Sequence, residues 1–427
     1  MRDSGPGRGA RRRALTALLA LVLLAAAGCT DGTRPAPSPG SGADARSGSA
    51  ATGAGTAPVL ERYQPGGRID LVETSETGGP VAVAGGALWW PAPDHASFTG
   101  RPLSSLRAMT TIPTQAEDAA VPRVRVTGAA RSVLQAFGSL WVAGPHEVLR
   151  HDPKALLDNP GTAPRARIRL NERIDEQWVF AEPMFAAFGS VWVLAPGPGP
   201  TGSPDRLGVR LVRIDPVRGT VLSDLPVGLR SDRPVALAAG PDRVYAVTAG
   251  AVTAVDPARG KVARVRRTED LGHGAAVIDS GTLVDGALLL QVGERHATVL
   301  LTLDPVALTV RSRAPSVYAG RTSFVLEQLI PHQDEAWAAL TYGLVRIGLQ
   351  GAGPPGHGSA VVDDLVPQDG LPWICPSTPS ADHLMLDGEV LWASGAEGIW
   401  AIRTDALPML HAPAPEYTAR ACPPEHY

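Results

Sequence analysis

A small residue, a turn and a large apolar residue recur seven times along this chain, and few folds can use such a period. The clearest copies are Gly86-Ala87-Leu88-Trp89, Gly138-Ser139-Leu140-Trp141 and Gly189-Ser190-Val191-Trp192. Weaker copies follow at Asp242-Arg243-Val244-Tyr245, Gly286-Ala287-Leu288-Leu289, Asp334-Glu335-Ala336-Trp337 and Gly388-Glu389-Val390-Leu391-Trp392. Their last residues are separated by 52, 51, 53, 44, 48 and 55 positions, the length of one four-stranded sheet with its loops. The spacing predicts an all-β protein, a seven-bladed β-propeller of four-stranded antiparallel blades. A two-sheet sandwich does not explain so even an array, and Gly, Pro and β-branched residues interrupt every helical window.

One blade can be read strand by strand. Val133 to Phe137 is a short apolar run suited to a buried inner strand, Gly138-Ser139 turns, and Leu140 to Ala143 runs back. Glu147 to His151 makes a third strand, stopped at Asp152-Pro153. Arg165 to Leu170 alternates polar with apolar, as a half-exposed outer strand does. Glycine suits the first turn because a tight hairpin needs positive φ. A second turn signal, Asp215-Pro216-Val217-Arg218-Gly219, returns at Asp256-Pro257-Ala258-Arg259-Gly260 and in part at Asp304-Pro305. There the aspartate can accept backbone hydrogen bonds, the proline presets φ, and the glycine takes the left-handed position.

Outer strands then fall at 123–127, 165–170, 220–225, 261–266, 309–314 and 360–365. The seventh blade, ending near Ile402, has no fourth strand after it. Arg68 to Glu73 can supply one, closing the ring and hiding both sheet edges.

The Phe137-Gly138-Ser139-Leu140-Trp141-Val142 and Phe188-Gly189-Ser190-Val191-Trp192-Val193 strings, with the Asp-Pro-x-x-Gly turns, resemble the repeats of YVTN, quinoprotein-like and streptogramin-lyase-like propellers. The likeness covers nearly all of residues 60–405. It implies the fold, and its motifs are shared by enzymes and non-enzymes alike.

Residues 1–28 read as an export signal, with Arg8, Arg11, Arg12 and Arg13 before an apolar run from Ala14 to Ala27. At 14 residues that run is shorter than the roughly 20 a membrane-spanning helix needs. Leu24-Ala25-Ala26-Ala27-Gly28-Cys29 resembles the lipobox of bacterial lipoproteins, which implies acylation (palmitate among the chains) at Cys29; Ala26 stands where that family has leucine. The alternative is an ordinary secretory signal containing a cysteine. Arg12-Arg13-Ala14-Leu15 leaves the general and twin-arginine export routes both open. Residues 29–58, rich in Gly, Ser, Ala and Pro, predict a flexible tether, because they cannot bury enough surface to offset their ordering entropy. The propeller occupies 59–427, on the outer side of the cell membrane, with the membrane touched through the lipid anchor only.

The whole chain carries a formal charge of −3; without residues 1–28 it has 34 basic and 41 acidic side chains, a net of −7. An acidic body excludes nucleic acid as the expected partner. Cys375 and Cys422 remain as an even pair in an exported chain, which predicts a disulfide; the alternative is two free thiols.

Both tight turns of each blade lie at one end of the ring, the turn end, so the longer connections gather at the other, the loop end. Those connections are read at 91–106, 172–182, 196–207, 268–279 and 367–380. Trp178, Glu182, Arg233, His273, Arg321 and Trp373 are the candidate ligand-face residues there. Arginine can clamp a carboxylate or phosphate, and tryptophan can stack on a ring. Catalytic residues are not identified, no metal ligands are assigned, and no cofactor is expected. His146 and His151 flank one strand and face opposite sides. Asp363-Asp364 lacks the pattern of a calcium loop. The leading reading is a monomeric binding or scaffold module for a protein, peptide or small envelope ligand. The alternative is an extracytoplasmic lyase or hydrolase of the lactonase or streptogramin-lyase kind, which would need a His and acidic pair at the axial mouth and a divalent metal; His273 with Glu269 is the nearest suggestion.

Overall fold

Blade 2 shows how the local chemistry builds each sheet. Its strands are Ser132–Ala136, Ser139–Ala143, Glu147–His151 and Ala166–Arg169, hydrogen-bonded in that order and antiparallel throughout. At the first turn Phe137 and Gly138 both have positive φ, 51° and 65°, the left-handed geometry that joins twisted strands. Trp141 is fully buried, and its indole N–H donates to the Ala136 carbonyl at 3.1 Å, which ties the second strand to the end of the first. Blades 1 and 3 repeat that bond, Trp89 to Ala84 at 3.1 Å and Trp192 to Ala187 at 3.0 Å.

The computed structural model describes residues 69–73, 79–92, 97–106, 123–125, 132–144, 146–170, 183–198, 207–228, 234–272, 275, 277–294, 298–315, 326–340, 343–350, 359–364, 383–395 and 398–404. Cys29, Cys375 and Cys422 lie outside them, as do the expected signal and tether. Seven four-stranded sheets result, six of them built from consecutive strands. The seventh takes its outer strand from the start of the folded region: Ile69–Glu73 pairs antiparallel with Gly398–Arg403, Ile69 opposite Ile402. This is the closure that the sequence predicts, and it leaves neither end of the array as an open sheet.

The Asp-Pro turns also form as expected. Asp215 Oδ1 accepts from the amides of Val217 and Arg218 at 2.8 and 3.0 Å, Asp256 Oδ1 from those of Ala258 and Arg259 at 2.9 and 3.0 Å, and Asp304 Oδ1 from Val306 and Ala307 at 2.8 and 2.6 Å. The same bonds hold the Asp215 and Asp304 carboxyls below the usual carboxylate range. In blade 2 the chain instead continues from Asp152 into a short helix, Pro153–Asp158, with Asp152 as its cap. Leu156 of that helix packs with Trp89 and Phe98 of blade 1, so the insertion seals a seam between blades.

One expected connection contains a strand. Within 91–106 the third strand of blade 1, Ser97–Pro102, is buried over its first four residues. Gly100 makes this possible because the Trp89 ring occupies its side-chain space; a Cβ there would lie 2.5 Å from Cζ3. Glycine and proline in that stretch mark close packing rather than a loop.

The core runs between blades. Trp89, Trp141, Trp192, Trp337 and Trp392 are all buried, in the inter-blade role their shared repeat position predicts. Among the described residues no helix is long and apolar enough to cross a membrane.

Candidate ligand face

The two ends of the ring differ in construction. At the turn end, Arg150 lies opposite Trp141 and Arg213 opposite Trp192 on the adjacent strand, each guanidinium over its indole at 5.7 and 5.2 Å. Each arginine then reaches the next blade: Arg150 Nη1 donates to Val217 O at 3.1 Å, and Arg213 Nη1 to Pro257 O at 2.6 Å. Blade 4 makes the same link with Tyr245, whose hydroxyl donates to Pro305 O at 3.1 Å; burial pushes its pKa up to about 12. These clasps join one blade's Trp or Tyr to the next blade's Asp-Pro turn. They use the turn end's polar groups for cohesion.

At the loop end the inner strands of blades 4, 5 and 6 depart from the regular pattern. Pro234–Ala239, Val277–Val284 and Leu326–His332 each carry a bulge near their start, at Val235, Asp279 and Glu327. The inner strands of blades 1, 2, 3 and 7 pair without such a shift. A bulge turns one side chain out of the alternating pattern and bends the strand, a device found beside functional sites. Asp279 is half-buried, and its carboxylate lies beside Gly293 at the end of the neighbouring strand, 3.3 Å from where a Cβ would stand. The next residue, Ser280, is buried and paired with buried Gln291. One blade further, Gln328 Oε1 accepts from the Leu384 amide at 2.6 Å and so bridges the inner strands of blades 6 and 7. His383 begins the inner strand of blade 7, where burial lowers its pKa to about 4 and keeps the ring neutral at pH 7.

Trp178, Glu182, Arg233, His273, Arg321 and Trp373 all lie outside the described residues. The groups that sequence reasoning missed are on the strands themselves. Asp279 falls inside the expected 268–279 connection, yet its inner strand begins at Val277. The polar residues Gln328 and His383 interrupt runs that a buried strand should fill with apolar side chains, and that interruption is the signal that could have found them. Glu269 sits exposed on a 3-10 turn against Arg267 at 3.5 Å. His146 and His151 stand at opposite ends of their strand and cannot share a ligand. Among the described residues, no three His, Cys, Asp or Glu side chains gather as metal ligands would.

No protein-family model matches the sequence, and no curated protein matches it. Solved structures do. Hydrazine synthase of Kuenenia stuttgartiensis superposes with a TM-score of 0.53 at 12% identity, covering 77% of this chain and 96% of that one. The WD40 domain of Toxoplasma gondii coronin gives 0.52 at 10%, covering 78% and 85%. The WD40 repeats of RRP9 give 0.50 at 10%, covering 80% and 98%. At such identities the likeness establishes the propeller and nothing about activity.

Proposed function

We propose that this chain is a bacterial lipoprotein of the YVTN and quinoprotein-like kind, acylated at Cys29 and held outside the cell membrane. Its propeller acts as a binding or scaffold module for a protein, peptide or small envelope ligand. The observation that carries the reading is the contrast between the ends: at the turn end of blades 2 to 4 polar groups are engaged in clasps, while at the loop end three successive blades bulge and Asp279, Gln328 and His383 stand on inner strands. A ring with one varied end over a rigid body is the usual construction of a propeller binding surface. The proposed ligand meets a mouth of mixed polarity, with the half-buried carboxyl of Asp279 and a neutral imidazole at His383.

The alternative, a lyase or hydrolase at the same mouth, draws support from Asp279 and His383 standing two blades apart on inner strands. Affinity capture from envelope extract, run beside metal analysis of the purified chain, separates the two. The binding reading expects a captured ligand whose retention falls at least tenfold in Asp279→Ala, without bound metal. Stoichiometric divalent metal with no retained ligand would overturn it in favour of the enzyme. Acylation is read separately, by palmitate labelling that Cys29→Ser abolishes.

A further inference from the structure

Two aromatic side chains occupy positions that neither folding nor core packing favours. Phe137 and Phe188 are the first residues of equivalent turns in blades 2 and 3, both with φ of 51°, and both are exposed, by 46% and 37%. A bulky residue with positive φ is strained, and an exposed ring recovers nothing from burial. Blade 1 places Gly85 at the equivalent position and blade 5 places Asp285, residues suited to that geometry. The two phenylalanines belong to one patch. Arg150 donates to Ser139 Oγ beside the Phe137 turn and to the carbonyl of Val217, whose side chain is 82% exposed; Arg213 donates to the Phe188 carbonyl in the same blade as Val217. Exposed Arg218 follows Val217 in the same turn, and exposed Lys154 stands in the corresponding turn of blade 2, against Gly85 of blade 1.

The chain's own direction identifies what this patch meets. Ile69 pairs with Ile402 near the end of the third strand of blade 7, so the closing strand starts at the turn end. Ile69 therefore stands at the end of the ring that carries Phe137, Phe188 and Val217. Cys29 lies 40 positions before Ile69 in the sequence, so an acyl anchor there would be joined to the ring through the strand that starts at this end.

We propose that the turn end of blades 2 and 3 docks on the surface of an anionic lipid bilayer, with Phe137, Phe188 and Val217 inserted at the headgroup level and Arg218 and Lys154 against lipid phosphates. This deepens the lipoprotein reading, on which its orientation argument rests, and it adds a direct contact between fold and lipid to the anchor. Within the patch the carboxylate of Asp215 is held by its turn amides and that of Asp152 by turn amides and Arg165, while Asp158 is exposed. The turns of blades 4, 6 and 7 expose Asp242, Asp334 and Glu389, which anionic lipid repels. The contact is consequently one-sided, and the ring sits tilted on blades 2 and 3 with its loop end directed away from the membrane.

The test uses the chain from residue 29 with Cys29→Ser, so that no acyl chain contributes, floated with phosphatidylglycerol vesicles and with phosphatidylcholine vesicles. Phe137→Asn with Phe188→Asn removes the rings with a residue that accepts positive φ, so the fold survives, as thermal unfolding will verify. The expected result is co-flotation with phosphatidylglycerol, at least fivefold weaker with phosphatidylcholine, and at least tenfold weaker in the double variant at an unchanged or raised Tm. Equal flotation of parent and variant would overturn the proposal, as would no flotation on either lipid. Self-association of the parent in sedimentation, lost in the variant and without vesicle binding, would also overturn it, since the patch would then serve a second copy. Palmitate labelling of the full chain is scored independently, so a labelled chain that fails to float retains its anchor and loses only this docking surface.

Discussion

Blades 2 and 3 and blade 5 solve the same packing problem differently. In the first pair, a tryptophan fills the seam, bonds to its own inner strand and carries an arginine that reaches the next blade. Blade 5 has Leu289 at the tryptophan's repeat position, packed with Leu300, Ile347 and Ala338 in a purely aliphatic cluster. Its inner strand compensates by length, eight residues against five in blade 2 and four in blade 3. The bulge at Asp279 adds one residue of that strand without a partner opposite. Blades 2 and 3 derive cohesion from aromatic and polar clasps at the turn end, as blade 4 does through Tyr245, whereas blade 5 fills its seam with aliphatic side chains.

Removing the aromatic wedge is the strongest way to break this contrast. Trp192→Ala should destabilise by about 3–5 kcal/mol, because it opens a buried cavity and strips Arg213 of its platform. Leu289→Ala should cost about 2–3 kcal/mol, as an aliphatic truncation without a clasp to lose. Denaturant titrations of both variants decide it; equal losses would show that the clasps add nothing.

Acid tests blade 2 next. His151 is buried at the turn-end limit of blade 2, and burial together with the charge of Arg167 lowers its pKa from 6.5 to about 4. The unfolded chain therefore binds a proton between those values while the folded chain does not. Stability is fully present above pH 6.5 and declines toward pH 4, by on the order of 2–3 kcal/mol from this residue. His383 contributes in the same direction from blade 7. His151→Leu should flatten part of the decline in thermal unfolding between pH 7 and 4; an unaltered profile would remove His151 as a cause.

Smaller changes sharpen the picture. Arg213→Lys keeps the charge but loses the planar fork that reaches Ser190 Oγ, Pro257 O and the indole face together, and should lower stability by about 1–2 kcal/mol. The smallest effect has the opposite sign. Phe188→Gly should raise stability by about 0.5 kcal/mol, since relief of positive φ outweighs the added freedom of the unfolded chain. Loss of stability there would mean that the ring packs in a way its exposure does not suggest.

Legibility in the sequence followed the range of the interaction. Gly138 and Gly189 could be read because a two-residue hairpin has one backbone solution, and Asp215 and Asp256 because a short side chain can only cap its own turn. The strand Ser97–Pro102 was hidden because Gly100 answers to the Trp89 ring, a neighbour 11 residues away in sequence. The partners of Arg150 and Arg213 were hidden for the same reason: Val217 and Pro257 are 67 and 44 residues distant.

The repeat spacing and turn chemistry by themselves determined the number of blades, the order of strands and the donated closing strand, since each follows from local hydrogen bonding and a fixed sheet length. Tertiary structure alone decided which arginines clasp which turns and where the inner strands bulge. It also decided that Phe137 and Phe188 are exposed at the end of the ring where Ile69 stands. Those features arise where neighbouring blades meet, and the distance between two blades is set by the side chains of both.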